Sequence, residues 1–256
     1  MKLLLTLGKL QNMISKKIYL LLLLVPLLGQ AQLKDLIKEV AGKTKGANLN
    51  TNGLDIAGGL KEALNNGITK QVTKLTAVDG FYKNQAVKIL MPDELKKVDK
   101  TLRSMGMGKL ADDGVKALNR AAEDAVKEAT PIFVNSIKNM SITDAQNILM
   151  GNNSAATTYL KGATSTELYS KFSPVVQESI GKVGADQIWS NIIKQYNKLP
   201  LVSKVNPDIT DYVTNKAMDG VFKMIAVEEG NIRTNLSSRS SDLLKKVFAL
   251  QDKKKK

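Results

Sequence analysis

Cysteine and histidine are both absent from the 256 residues of this chain, and aromatic residues make up only 5% of it. Without cysteine the protein can form no disulfide, no thiolate nucleophile and no cysteine-based metal site. Without histidine, a serine–histidine–aspartate triad and the common histidine-ligated zinc sites are excluded as well. The composition therefore removes most hydrolase and metalloenzyme chemistries, and it predicts neither a metal nor a cofactor.

The scarcity of aromatic residues, together with plentiful alanine, leucine, lysine and asparagine, favours helices over a β-sandwich or barrel. Hydrophobic residues make up 43% of the sequence, which is enough for one domain with a substantial core. No fixed sequence period is found, and this argues against a solenoid of stacked repeats. The predicted fold is all-α, a single irregular multi-helix domain.

The N-terminal segment has the features of a signal peptide. Two lysines precede an apolar run at residues 18–28, and small residues follow at the positions that signal peptidase recognises. This run is too short for a membrane span, which needs about 20 apolar residues. We expect residues 1–31 to be a signal peptide cleaved after Ala31, with residues 1–12 as an upstream extension. The mature protein would then be periplasmic or secreted, with no transmembrane segment.

The rest of the chain divides into three parts by composition. Residues 32–54 are predicted to form a short amphipathic segment and a linker, residues 55–250 the helical domain, and residues 251–256 a basic tail. The formal net charge of the whole chain is +14, which permits weak attraction to anionic lipids. Basic and aromatic residues are not interleaved as they are in nucleic-acid-binding proteins, so nucleic acid is not a predicted partner.

Helix starts are indicated by side chains that can accept hydrogen bonds from the free N–H groups of a first turn. Such signals occur at Asp55, Ser141 with Asp144, Ser154, Thr164 with Glu167, the Asn206–Asp208 stretch, and Ser240 or Ser241. Between the first two predicted helices, alternating apolar residues at positions 87, 89 and 91 form the one strand-like stretch.

A long amphipathic helix is predicted from residue 110 onward, with a kink at Pro131. Its apolar face is rich in alanine, which would let neighbouring helices approach closely. Arg120 and Glu123 fall on the opposite, polar side, where Arg120 can pair with Asp124 and Glu123 with Lys127. These charges form either a substrate site or a solvated face, and the helical angles favour the solvated face.

The last long helix is predicted to run to about Arg233 and to be largely buried, because apolar residues cover more than half of its circumference. Its clear polar strip consists of Asn215, Lys216, Asp219 and Lys223.

Glu228 projects from the middle of the apolar arc of that helix, and Glu229 follows it. A carboxylate in such a position must pair, become protonated or reach water. Arg233, Arg239 and Arg120 are the candidate partners, because a planar guanidinium group suits a buried carboxylate. Glu228 is therefore either a tuned carboxylate in a cleft or part of an ion pair that locks the last two helices.

A turn with the sequence DGFYKN, residues 79–84, carries two neighbouring aromatic residues, Phe81 and Tyr82. It can be a small binding loop, or a loop that Phe81 pins to the core.

Six segments are similar to those of a known family: DGFYKN (79–84), LNRAAEDAV (118–126), DAQNILMG (144–151), SAATTYL (154–160), KAMDGVFKMIAVEEGNIR (216–233) and SSRSSDLLKKVF (237–248). Over roughly residues 55–250 the chain resembles exported bacterial proteins known as domain of unknown function 4197. This resemblance implies a mostly helical protein of the Gram-negative envelope that carries a signal peptide. It implies no catalytic residues, because the family has none assigned.

The function predicted from the sequence is that of an exported, non-enzymatic binding or structural module whose partner is an envelope protein or a lipid. One alternative is a hydrolase or lyase that uses carboxylates, with Glu228, Glu229 and Glu123 as candidates. Another is an anionic-lipid-binding protein that uses the lysines of the basic tail. The candidate binding residues are Glu228, Glu229, Arg233, Arg120, Glu123 and Tyr82.

Overall fold

The architecture comes from a computed structural model that describes residues 55–104, 106, 108–182 and 208–254, and between the last two ranges residues 184, 186, 190, 194, 197, 198, 204 and 206. The expected signal peptide, the predicted segment and linker at residues 32–54, and the final two lysines lie outside the described residues.

The described residues form α-helices, turns and one longer irregular segment, without a strand, and the predicted all-α class is confirmed. The helices are α1 (Ile56–Thr76), α2 (Lys96–Ser104), α3 (Gly108–Val126), α4 (Ala129–Asn139), α5 (Ile142–Met150), α6 (Ala155–Gly181), α7 (Ile209–Thr234) and α8 (Asp242–Lys254). Short 3-10 turns precede α2 and α8 at Asp93–Leu95 and Leu236–Ser238.

Three long helices, α3, α6 and α7, pack against one another and form the centre of the core. The predicted alanine face of α3 is confirmed, because Ala121, Ala122 and Ala125 are completely buried. Side chains this small let α6 and α7 approach α3 closely. Helix α1 packs across this group against α4, α5 and α7, and α8 covers α1.

The cap signals at Asp55, before α5 and before α8 are confirmed, the last through Ser241, whose hydroxyl accepts the Leu244 N–H at 3.2 Å. Asp55 accepts a hydrogen bond from the Gly58 N–H at 2.8 Å, and Ser141 and Asp144 form a complete capping box at the start of α5. Helix α7 ends at Thr234, close to the predicted position, but its N-cap is Asp208, two residues after the cap predicted at Asn206. Each of these caps satisfies first-turn N–H groups that have no acceptor within their own helix.

One predicted helix start is wrong. Thr164 lies in the interior of α6, where its hydroxyl donates to the Leu160 carbonyl at 2.7 Å. The capping-box spacing with Glu167 is therefore coincidental, since Thr164 can bond to its own helix instead of capping a new one. The helix start predicted at Ser154 is confirmed, because α6 begins at Ala155, although the Ser154 side chain makes no capping hydrogen bond.

The predicted continuous helix through Pro131 is also wrong. The chain turns at Lys127 and Glu128, and a new helix, α4, begins at Ala129. Pro131 is then the third residue of α4, where its missing N–H costs no intrahelical hydrogen bond. The proline therefore follows a helix break and does not kink a continuous helix.

Residues 77–92, named here the irregular segment, connect α1 to the turn before α2 and contain no helix or strand. The strand predicted around Ile89 does not form. The Asn119 side chain accepts from the Ile89 N–H at 2.8 Å and donates to the Ile89 carbonyl at 2.7 Å. It thereby occupies the two backbone groups that a neighbouring strand would need.

None of the described helices combines the length and the apolar character that a membrane span requires.

Candidate functional site

Glu123 is buried, with only 4% of its surface exposed, so the solvated position predicted for it is wrong. Its Oε1 atom accepts the backbone N–H groups of Phe81 at 3.0 Å and Tyr82 at 3.4 Å. Its Oε2 atom accepts from Nη1 of Arg120. The polar side of α3 is not solvated here because the irregular segment covers it. Glu123 therefore takes part in holding that segment on the helix.

Arg120 extends the same contact to the first residue of the DGFYKN turn. Its Nη2 atom pairs with Oδ1 of Asp79, while Lys83 pairs with Oδ2 of Asp79 at 2.9 Å. The hydrogen bond from Lys83, followed by the charge of Arg120, lowers the pKa of the Asp79 carboxyl. Asp79 has a φ of 68°, a left-handed conformation that aspartate tolerates better than most residues.

Asn119, Arg120 and Glu123 thus hold the irregular segment at both of its ends. Phe81 adds an apolar anchor, because its side chain is completely buried. Tyr82 stays partly exposed, and the Lys88 amino group lies 4.3 Å from the centre of its ring. A segment without regular structure is rigidly placed when a helix satisfies its backbone groups in this way.

A second cluster of predicted residues lies where α5 ends and α6 begins. Glu229 on α7 accepts hydrogen bonds from the Ala156 N–H at 2.9 Å and from the Thr157 N–H at 2.8 Å. The Thr157 hydroxyl donates to it as well, at 2.7 Å. Glu229 therefore caps α6 from a different helix, in place of the Ser154 side chain. A carboxylate at a helix N-terminus also complements the positive end of the helix dipole.

Arg233 completes the arrangement from one turn further along α7. It pairs with Glu229 at 2.8 Å and donates to the carbonyls of Ile148 at 2.7 Å and Leu149 at 3.1 Å. These carbonyls belong to the last turn of α5, where a cation is favoured by the dipole. The pair of Glu229 and Arg233 therefore joins α5, α6 and α7.

Glu228 is buried as predicted, but none of the predicted arginines is its partner. It accepts from Nζ of Lys70 and from Nε2 of Gln71, both at 2.6 Å and both on α1. Beside Glu228 and Glu229 lies a cavity of about 30 Å³, lined otherwise mainly by apolar side chains of α1, α7 and α8. A space of that volume can hold a water molecule but no substrate of ordinary size.

Arg239, another of the three predicted partners of Glu228, instead joins the last two helices. Its guanidinium group donates to the Ile232 carbonyl at 3.0 Å and pairs with Asp252 on α8 at 2.6 Å. It therefore satisfies a carbonyl at the end of α7 and holds α8 in place.

A much larger cleft, of about 380 Å³, opens between the irregular segment and α7. We name it the lysine cleft. One side consists of residues 86–91 with Asp93 and Lys96, and the other of Tyr212, Lys216, Asp219, Gly220 and Lys223. The α7 residues are spaced three and four apart, which places them on one face of the helix.

Gly220 determines how closely the two sides of the lysine cleft approach each other. A Cβ atom at this position would lie 2.6 Å from Cε1 of Phe81 and 3.4 Å from Cβ of Val87. Glycine is therefore needed for the irregular segment to lie directly on α7. On the open side of the cleft, the Tyr212 hydroxyl donates to the Leu90 carbonyl at 3.0 Å and links the two sides.

The predicted site residues thus form separate clusters with different neighbours. Arg120 and Glu123 contact the turn that carries Tyr82, whereas Glu229 and Arg233 contact the α5–α6 junction. The lysine cleft was not predicted as a site, although the polar strip of the last long helix includes Lys216, Asp219 and Lys223. Its opposite side could not be found from the sequence, because it depends on how the irregular segment folds onto α7.

In the part of the chain that the structure describes, no group of three or more acidic side chains is close enough to hold a metal ion.

No curated protein and no solved structure matches this chain. A family model described as "Protein of unknown function (DUF4197)" matches residues 50–249, which include the lysine cleft and the clusters around Glu123, Glu228 and Glu229. The match covers most of the chain and agrees with the resemblance found in the sequence. The chain therefore belongs to this family of proteins of unknown function, DUF4197.

Proposed function

We propose that this protein is a non-enzymatic binding module of the cell envelope, and that it binds its ligand in the lysine cleft. The observation that carries the proposal is a division between two kinds of charged residue. The buried charges hold helix ends and the irregular segment together. The charged side chains on α7 that line the cleft, Lys216, Asp219 and Lys223, are exposed instead, and among the described residues they form no ion pair that holds a helix end or the irregular segment.

Glu229 is the clearest example of a buried charge whose contacts are all structural. A carboxylate has about four lone-pair positions that can accept hydrogen bonds. Glu229 accepts four hydrogen bonds, from the Ala156 N–H, the Thr157 N–H, the Thr157 hydroxyl and Nε of Arg233. No acceptor position remains for a substrate, which weighs against a role as a general base.

The other two carboxylates considered for catalysis also accept hydrogen bonds from groups that hold the fold together. Glu123 accepts two backbone N–H groups and the Arg120 guanidinium, and Glu228 accepts Lys70 and Gln71. The cavity next to Glu228 is too small for a substrate. These contacts support a binding module over a hydrolase or lyase that uses carboxylates.

The envelope location in the proposal rests on the signal peptide predicted for residues 1–31. Cell fractionation and N-terminal sequencing of the protein made in its own host test it. We expect the protein in the periplasmic or extracellular fraction, with Gln32 as its first residue. Recovery in the cytoplasm with an intact leader would refute this part of the proposal.

Native mass spectrometry of the protein purified from its own cells tests the binding role. We expect a co-purifying mass, and we expect the Lys216→Gln/Lys223→Gln variant to lose it. Glu228→Gln is the matched control, because it changes a carboxylate of the scaffold and should leave the bound mass unchanged.

Two outcomes would contradict the proposal. One is a protein that repeatedly carries no bound species and yields no partner after cross-linking in envelope extract. The other is a bound species that stays when the cleft lysines are changed and disappears with Glu228→Gln. That result would mean that the ligand binds at the buried carboxylates and not in the lysine cleft.

A further inference from the structure

The lysine cleft contains more positive than negative charge. Among the residues that the structure describes, four lysines and two aspartates line it, and together they carry a formal charge of +2. Lys96 forms an exposed ion pair with Asp93 at 2.8 Å. Within the described residues, Lys88, Lys216 and Lys223 have no carboxylate within ion-pair distance, although several other lysines of the protein do.

These lysines come from both sides of the cleft. Lys88 lies on the irregular segment, whereas Lys216 and Lys223 lie two turns apart on α7. Cations that surround a concave site raise the local concentration of anions more than the same charges spread over a convex surface. We infer that the lysine cleft binds the phosphate group of a phosphorylated molecule, an inference that rests on the proposed binding function and deepens it.

The residue types favour phosphate over a carboxylate. A phosphate monoester carries a charge of about −1.5 to −2 at neutral pH, which matches the excess charge of the cleft. None of the described residues that line the cleft is an arginine, whose planar fork pairs with carboxylates and phosphates alike, so recognition here rests on lysine, a common phosphate-binding residue. Lysine acts as a point charge with three donors, and such donors suit the oxygens of a tetrahedral anion from several directions.

Apolar groups lie next to the lysines and would contact the rest of the ligand. Leu90 is 60% exposed at the edge of the cleft, and Met91 is partly exposed beside it. The hydrogen bond from Tyr212 to the Leu90 carbonyl keeps this part of the irregular segment next to α7. The volume of about 380 Å³ is that of a small-molecule site. The ligand would therefore carry an apolar portion close to its phosphate.

Two sources supply that chemistry, a free phosphorylated metabolite and the headgroup of an anionic phospholipid. The protein purified from its own cells is titrated with sn-glycerol 3-phosphate by isothermal calorimetry, and with inorganic phosphate in parallel. It is also mixed with phosphatidylglycerol–phosphatidylcholine vesicles and with pure phosphatidylcholine vesicles in a sedimentation assay. All of these measurements are repeated with added salt, which should weaken binding to exposed lysines.

Each arm uses a cleft variant and a matched control. The cleft variant is Lys216→Gln/Lys223→Gln, and the control is Lys138→Gln/Lys171→Gln, which removes two exposed lysines outside the cleft. All four substitutions are at exposed positions, so we expect each variant to keep the far-UV circular dichroism spectrum of the original protein. A third variant, Asp219→Asn, removes an acidic group from the cleft.

We expect the cleft variant to bind at least about tenfold more weakly in whichever arm shows binding, because it loses two charge-assisted contacts. The control should bind like the original protein, and Asp219→Asn should bind more tightly. Binding of sn-glycerol 3-phosphate alone identifies a free phosphorylated molecule as the source. Binding to phosphatidylglycerol vesicles alone identifies a lipid headgroup.

The inference is overturned when no arm shows binding, or when the cleft variant and its control bind equally. Failure of the inference and failure of the proposed function can be told apart. If native mass spectrometry shows a cleft-dependent ligand that contains no phosphate, the proposed function stands and the phosphate inference is wrong. If no ligand or partner is found at all, both are wrong.

Discussion

Replacing Arg233 with methionine tests whether the pair it forms with Glu229 holds the α5–α6 junction together. Arg233 is 2% exposed and Glu229 is 7% exposed, so the substitution leaves a carboxylate buried without its cation. It also leaves the carbonyls of Ile148 and Leu149 without the donor that satisfies them. Methionine keeps much of the volume of the side chain, which limits any loss of packing.

The expected loss in the free energy of unfolding is about 3–5 kcal/mol, as for other buried ion pairs from which one partner is removed. For a domain of this size, each kcal/mol shifts the melting temperature by about 2–4 °C. The variant should therefore melt roughly 6–20 °C below the original protein. Thermal and urea denaturation followed by far-UV circular dichroism measure the change, since the signal comes from the helices.

Arg103→Met is the control, because it removes the same group from an ion pair with Asp99 and Asp112 in which 45% of the arginine side chain is exposed. We expect little change there, since exposed pairs contribute little. Glu229→Gln provides the second comparison. In the Glu229→Gln protein, Arg233→Met should lower the free energy of unfolding by less than it does in the original protein, because no unpaired charge remains. The reasoning would be refuted if Arg233→Met and Arg103→Met destabilised the protein equally. It would also be refuted if the losses of stability from Arg233→Met and Glu229→Gln simply added in the double variant.

Three further predictions concern the irregular segment. Asn119→Ala removes both hydrogen bonds to the Ile89 backbone, so we expect about 2–4 kcal/mol lower stability and faster amide hydrogen exchange in this segment; unchanged exchange would contradict the anchoring role. Gly220→Ala should destabilise by about 1–3 kcal/mol through overpacking in urea denaturation. Gly230→Ala on the same helix is the control, because an added Cβ there meets open space, and it should stabilise the protein by about 0.5–1 kcal/mol. If both substitutions changed the stability in the same direction, the close approach at Gly220 would be contradicted. The pKa of Asp79 is lowered in the folded protein, so its contribution is present above its unfolded pKa of about 3.9 and is lost as the pH falls through the folded value. Asp79→Asn, which keeps the left-handed φ accessible, should therefore flatten the acid side of the stability profile, and identical profiles would contradict the ion pairs.

Local signals in the sequence predicted the parts of this protein that depend on neighbouring residues. The Ser141–Asp144 capping box forms because both partners lie within one turn of the same helix. The polar strip of α7 is exposed, and Glu228 is buried, because helical periodicity alone places them. The all-α class follows from the same periodicity and from the composition.

The partners of the buried charges could not be predicted in the same way. Glu123 lies at an angle that faces away from the alanine face, and only the placement of residues 77–92 buries it. Glu228 pairs with Lys70 and Gln71, which are more than 150 positions away along the chain, whereas the sequence indicated arginines. Nothing in local sequence distinguishes a distant lysine that reaches a buried carboxylate from the many that do not.

The sequence by itself determined the helical class, the main helix ends and the absence of cysteine and histidine chemistry, because these depend on residue type and short-range spacing. Tertiary structure alone decided which helix end each buried charge satisfies, and that residues 86–96 lie beside α7 to form the lysine cleft. The physical reason is that hydrogen bonds and ion pairs between distant segments depend on how whole helices pack. That packing is selected by the burial of the entire core and by close approaches such as the one at Gly220.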